Sequence, residues 1–186
     1  MLPRKGVWVF LPLIGFIALA ILLASGLGKN TEDLPTALAG KPLPQMQLPS
    51  LLRKGNVVDN RLFEGRWTLL NVWATWCPTC HIEHPYLLKL AQRGVAIVGL
   101  DYKDEDAAAK NYLANLGNPY VEVPVDASGA YGLNLGVYGA PETYLVSPQG
   151  DIVLRHVGEM NERVWQAKFL PLMKEPSDIK LQVEAQ

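Results

Sequence analysis

Cysteine is almost missing from this 186-residue chain: there are two, Cys77 and Cys80, and they stand three positions apart. A pair so close and so isolated excludes a disulfide-stapled scaffold. What remains is a redox pair, a metal or haem ligand pair, or chance. A surplus of charge is missing too. With 17 basic and 18 acidic residues the net charge is −1, without the basic footprint of a nucleic-acid binder. No internal repeat is present. Between Val7 and Leu27 there is no charge of either sign.

That uncharged run is long. At about 1.5 Å of rise per residue, about 20 residues cross a hydrocarbon core of about 30 Å, which predicts one transmembrane helix over residues 7–27. Arg4, Lys5 and the amino terminus precede it, and Lys29, Glu32 and Asp33 follow. The positive-inside rule leaves residues 1–6 in the cytoplasm and everything after Lys29 across the membrane. Trp8 suits an interfacial anchor. A cleavable signal peptide is the rival, with Ala24-Ser25-Gly26 as small residues for a peptidase, but the run exceeds the usual apolar core of about 7–15 residues. No cysteine is available there for lipid attachment. Either way the soluble part lies where disulfides persist.

Residues 28–39 read as a linker, in a stretch rich in proline that runs on to Pro49. The folded domain is expected over 40–174, with a polar tail over 175–186. Leu51-Leu52 and Val57-Val58 flank a turn at Gly55-Asn56, a predicted β-hairpin. Trp67 to Ala74 reads as a buried central strand. From Pro78 the period changes: Ile82, Pro85, Tyr86, Leu87, Leu90 and Ala91 mark an amphipathic helix ending near Arg93-Gly94, with a kink expected at Pro85. Val95 to Leu100 is a strand buried on both faces. A helix over Asp104–Leu116, a strand over Val121–Val125 and a short helix over Ala130–Leu135 follow. Pro141–Val146 and Asp151–Val157 pair around a turn at Ser147–Gly150, and Asn161 caps a last helix through about Met173. Strands alternating with helices, closed by a hairpin, give an α/β class with a mixed central sheet.

The cysteines fall where the central strand becomes a helix. A thiolate attacks a disulfide, and a free cysteine titrates near about 8.5, so a working site must stabilise the anion. The unpaired N–H groups and dipole of a helix N-terminus do so. Cys77 sits at that start, and Pro78 is tolerated in the first turn. Cys77 is therefore the expected nucleophile and Cys80, one turn deeper, the resolving thiol. Trp76 covers the site or simply packs. Glu83, three residues after Cys80, either exchanges protons with the leaving thiolate or is a solvated helix residue. Glu142, opening an apolar strand after Pro141, is costly unless functional or at a strand end. Gly139-Ala140-Pro141 is a turn where a cis proline is plausible. Asn71 interrupts the central strand and, buried, must be hydrogen-bonded.

The same residues carry a competing reading. Cys77-Pro78-Thr79-Cys80-His81 matches the Cys-x-x-Cys-His string of c-type haem attachment, and Cys77, Cys80, His81 and His84 share one helical face. Four ligands on one straight helix do not surround a metal tetrahedrally, and neither Met46 nor Met160 is an evident second axial ligand. No cofactor is therefore expected.

Four stretches are shared with a known family: Gly40-Lys-Pro-Leu-Pro44, Asn71 through Cys80, Glu83 with Pro85, and Gly136-Val-Tyr-Gly-Ala-Pro-Glu-Thr-Tyr144. With them the chain resembles the thioredoxin superfamily, and within it the membrane-anchored thiol:disulfide interchange proteins of cytochrome c maturation, the DsbE/CcmG family. The resemblance implies a thioredoxin-like fold with an N-terminal β-hairpin and a central insertion at about Asp104 to Val125. It implies a cis Pro141 facing the cysteines, Glu83 and Glu142 as acids tuning the site, and Trp76, Pro78, Thr79 and Pro141 as its frame. Asn71 stands where ordinary thioredoxins carry a buried acid, so their proton relay does not transfer unaltered. The implied activity is that of a periplasmic reductase on the bacterial inner membrane. Its substrate is the Cys-x-x-Cys-His disulfide of apocytochrome c, reached directly or through a partner, with a membrane thiol-disulfide carrier as electron donor. A disulfide oxidase or isomerase of the same fold is the alternative, because direction follows reduction potential.

Overall fold

The structure, a computed structural model, describes residues 7–27 and 38–173. The expectations for residues 1–6, for most of the linker and for the polar tail lie outside the described residues. The chain forms two units, Met1–Asp33 and Leu34–Gln186.

The first unit contains one helix, α1 (Val7–Leu27), uncharged throughout and with Pro12 inside it. Its side chains are described over residues 12–23, among them exposed Leu13, Ile14, Phe16 and Leu22. Counting only such residues, no helix is long and apolar enough to cross a membrane.

The second unit opens with a two-stranded antiparallel sheet, β1 (Gln47–Pro49) and β2 (Val57–Asp59). The first strand lies earlier than Leu51-Leu52, where the apolar pattern suggested it. Leu51 is apolar for another reason: its N–H donates to the Val123 carbonyl and its side chain plugs the main core.

The main sheet has the order β5-β4-β3-β6-β7, built from β3 (Thr68–Trp73), β4 (Ala96–Tyr102), β5 (Val125–Asp126), β6 (Glu142–Val146) and β7 (Ile152–Val157). β3 runs parallel to β4, and β4 to β5, while β6 is antiparallel to both β3 and β7. The sheet is therefore mixed. The helices are α2 (Pro78–Gln92), α3 (Asp106–Leu116), α4 (Ala130–Leu135) and α5 (Glu162–Val164), the last continuing as a wider turn through Phe169 and a tight one through Leu172. β5 begins later than the stretch expected to form it and shares only Val125 with it. Pro124 has no N–H to give a ladder, and the Glu122 carboxylate turns inward to Ser50 and Arg53.

Every residue of β3 and β4 is buried, and their side chains alternate between two cores. One face carries Leu69, Trp73 and Ile97 together with Cys77, Cys80, Tyr112 and Tyr120. The other carries Leu70, Val72, Val98, Leu100, Tyr144 and Val146. This alternation decides which polar side chains meet the cysteines.

Candidate active site

β3, the central strand, ends at Trp73, and Ala74, Thr75 and Trp76 lead from it to Cys77 at the start of α2. Cys77 is the N-cap of that helix, its Sγ accepting the Cys80 N–H at 3.1 Å. Pro78 occupies the first turn, where its missing N–H removes nothing from the helix. Cys77 and Cys80 are joined as a disulfide, and each residue is 2% exposed. Pro78 is exposed and Thr79 half-buried beside them.

The loop before the cysteines is clasped to the loop after β4. The Asp104 carboxylate accepts the Thr75 N–H and, at 2.8 Å, the Thr75 hydroxyl. Trp76, 53% exposed, donates its ring N–H to the Lys103 carbonyl at 3.0 Å. His81 holds the Thr75 carbonyl from the helix side through Nε2 at 3.1 Å. A carboxylate that receives both the backbone and the side chain of one residue fixes that residue as a capping group does.

Glu83 is buried at 1% exposure on the cysteine face. Its Oε1 accepts from Asn71 Nδ2 at 2.9 Å and its Oε2 from the Met160 N–H at 2.8 Å. Burial is the largest influence and pushes its pKa up to about 7; the two donors pull it down, and nearby Glu159 adds to the rise. Asn71 is saturated by the same network, giving a second N–H to Thr143 Oγ1 at 3.1 Å and accepting from the Tyr120 hydroxyl at 3.0 Å. The Tyr120 phenol is raised well above its ordinary value, first by burial and then by Glu83.

α2 thus turns Cys80, Glu83, His84, Leu87 and Leu90 inward; of the expected stripe, Leu87 and Leu90 are buried and Tyr86 and Ala91 pack against the core, but Pro85 is exposed and Ile82 is 64% exposed. Two polar residues replace apolar ones on the buried stripe because each finds a partner there, His84 through its Nε2 contact with the Gly117 carbonyl at 2.9 Å. The helix runs unbroken past Pro85.

The Ala140–Pro141 peptide bond is cis, and Ala140 packs against the core cluster that holds the cysteines. Glu142 follows, but β6 turns its side chain to the opposite face. There Arg155 grips it with two bonds of 2.9 Å, and the Tyr144 hydroxyl donates to it at 2.8 Å. Its Oε1 also accepts the N–H groups of Tyr138 and Gly139 at 2.8 and 3.3 Å. Glu142 therefore shapes the turn that carries Pro141, while Thr143 is the strand residue that reaches the cysteine face. Thr143, Tyr120, Asp104 and the Met160 N–H all belong to the site, and sequence reasoning had not singled them out. The odd-even parity of β6 could have found Thr143.

His81 and His84 pack edge-on to Tyr112, with ring centroids 4.7 and 4.9 Å apart. With the sulfurs joined and both imidazoles spoken for, no group of three or more His, Cys, Asp or Glu side chains among the described residues is placed to hold a metal ion.

Residues 38–169 match the family model Redoxin. The thiol:disulfide interchange protein DsbE of Yersinia pestis is 49% identical over 172 residues, which cover 89% of this chain and 92% of that protein. The chain belongs to the DsbE family. The DsbE of Escherichia coli K12 is 45% identical across 91% of this chain and 95% of its own length. Among solved structures, a DsbE from Chlorobium tepidum superposes with a TM-score of 0.56 at 24% identity, covering 79% of this chain and 96% of that one. A thioredoxin from Neisseria meningitidis does so with 0.61 at 26%, covering 73% and 92%. The fold is thioredoxin-like, and the protein is a thiol:disulfide oxidoreductase with a Cys77-Pro78-Thr79-Cys80 centre.

Proposed function

We propose that the protein is a membrane-anchored periplasmic reductase of cytochrome c maturation, with Cys77 as nucleophile and Cys80 as resolving thiol. α1 holds it in the bacterial inner membrane as a single span: an uncharged helix with exposed apolar side chains on all sides calls for an apolar surrounding. The reduced Cys77 thiolate receives the Cys80 N–H that its sulfur already accepts and the positive end of α2. It attacks the disulfide of a Cys-x-x-Cys-His apoprotein, or of an intermediary, and forms a mixed disulfide. Cys80 then attacks the Cys77 sulfur and frees the partner as a dithiol. Glu83, poised between its protonated and ionised forms, takes the Cys80 proton in that step. Trp76, Pro78, Thr79 and Pro141 frame the approach. A membrane thiol-disulfide carrier returns two electrons to the pair.

The observation that carries this reading is Glu83, a buried acid satisfied by Asn71 and the Met160 N–H one turn beyond the resolving cysteine. Its test uses two variants in the full chain. Cys80→Ser should accumulate a mixed disulfide through Cys77, and Cys77→Ser should form none and exchange no thiols. Continued exchange by Cys80→Ser without a trapped partner would overturn the roles. Direction is read separately by trapping free thiols in cells: a reductase is held mainly as the dithiol, an oxidase mainly as the disulfide.

A further inference from the structure

Asp101 has no place in the chemistry described so far. It lies near the C-terminal end of β4, in register with Trp73 of β3, and its residue exposure is 0%. Among the described residues neither carboxylate oxygen has a hydrogen-bonding partner, and the Trp73 ring N–H is likewise buried and unpartnered there. A buried charge without a partner is among the most unfavourable groups a fold can hold, and a carboxyl so placed takes a proton instead.

Its position ties it to the cysteines. Alternation along β4 puts Ile97, Gly99 and Asp101 on one face. A Cβ on Gly99 would stand 2.8 Å from Trp73 Nε1 and 2.7 Å from Tyr120 Cγ, so that face is the one lined by Trp73 and Tyr120, in the same cluster as Cys77 and Cys80. Two and three residues further on, Lys103 and Asp104 hold Trp76 and Thr75. Asp101 therefore sits at the root of the clasp that fixes the approach to Cys77. The Tyr120 phenol is raised by burial first, then by Glu83, Tyr112 and, last, Asp101, so both acids lie within electrostatic reach of one phenol.

We propose that Asp101 is a redox-linked proton carrier, a buried carboxyl on the cysteine face that takes up a proton when the Cys77–Cys80 disulfide is reduced and releases it on reoxidation. It acts through its charge and not by contact with the sulfurs, and the proposal rests on reading that pair as the working couple. The groups facing it are Asp104 from the following loop, Asp106 from the start of α3 and Tyr120 from the segment after α3. None of them is a cation. The Lys103 ammonium lies instead over the Tyr102 ring, 5.0 Å from its centroid. Burial first, then the charges of Asp104 and Asp106, push Asp101 up to about 7, so near neutrality it is divided between its two forms.

The step balances. A donor dithiol gives up two electrons and two protons and becomes a disulfide. The Cys77–Cys80 bond breaks, Cys80 takes one proton, and Cys77 keeps a negative charge as thiolate. That charge, on the same face, raises the proton affinity of Asp101, and an ionised Asp101 accepts the second proton.

The test is the midpoint potential of the full-length protein, equilibrated in a glutathione buffer across the neutral pH range. In the wild-type protein the slope should steepen around neutrality towards one extra proton per disulfide reduced. In Asp101→Asn that contribution should vanish, and the Cys77 thiol should titrate lower. Superimposable curves for the two proteins would overturn the proposal. Should the amide fail to fold, the redox-difference infrared spectrum of wild-type protein labelled with ¹³C-aspartate decides: a protonated aspartyl C=O band grows on reduction, and its absence overturns the proposal. A wild-type protein that never equilibrates with the buffer overturns the redox reading itself, whereas a working couple with an unchanged variant overturns only Asp101.

Discussion

A buried carboxylate behaves according to what is placed around it, and three in this protein have three settings. Glu83 has two neutral donors and no cation, Glu142 has a guanidinium and a phenol, and Asp101 has neither. Glu83→Gln should keep the hydrogen bond from Asn71 yet remove the titration near 7. The rate at which Cys80 resolves the mixed disulfide, measured against pH, should lose its inflection there and fall severalfold above it. Glu142→Ala should act differently, because it strands a buried Arg155 and frees the 138–139 turn. We expect a loss of about 3 kcal/mol in denaturant unfolding, the lower end for a broken buried pair, with little change in the Cys77 titration. The cysteine pair was legible because an apolar run ends at Trp76-Cys77 and a proline opens a helix, a change of period that any window detects. Asp101 was not legible. It stands at the end of an apolar strand, where a solvated acid is the ordinary reading, and only the face it lands on makes it unusual.

At the scale of elements, the site depends on one clasp and one crossing. The clasp joins the segment before Cys77 to the loop after β4 through Asp104. Asp104→Ala should leave the disulfide intact but release Thr75, and amide hydrogen exchange at Thr75 should speed up while that of β3 stays protected. The crossing is Gly99, over which Trp73 and Tyr120 lie stacked with centroids 5.4 Å apart. Gly99→Ala drives a methyl into both rings and should cost about 1–3 kcal/mol, with the near-ultraviolet circular dichroism of the aromatic core changed. The existence and order of nearly every strand and helix could be read from the chain. The departures have physical causes: Pro124 and the inward Glu122 push β5 past Val121–Pro124. Leu51 looked like strand because it is core, and Ile82 looked like core because a helix with buried Glu83 and His84 breaks the pattern that apolar counting relies on.

For the whole molecule, two acids whose folded values lie near 7, against about 4 in the unfolded chain, set the pH dependence of stability. Both bind protons more tightly when folded. Their contribution is fully present below the unfolded value and is lost as pH rises through about 7. The folded domain should thus melt at lower temperature at mildly alkaline than at mildly acidic pH, and Asp101→Asn should flatten that slope. Thermal unfolding followed by circular dichroism at the two pH values checks it.

The alternation of β6 has a consequence for folding as well as for chemistry. Side chains in a strand repeat every two residues, so a slip of one position against β3 would exchange Glu142 with Thr143. The slipped strand would drive a carboxylate against Asn71 and Glu83 and leave Arg155 facing a hydroxyl. Neither face of the sheet tolerates that exchange. The charge that holds the turn thus also specifies the register, and the chain reaches its redox geometry by making the adjacent alignment electrostatically forbidden.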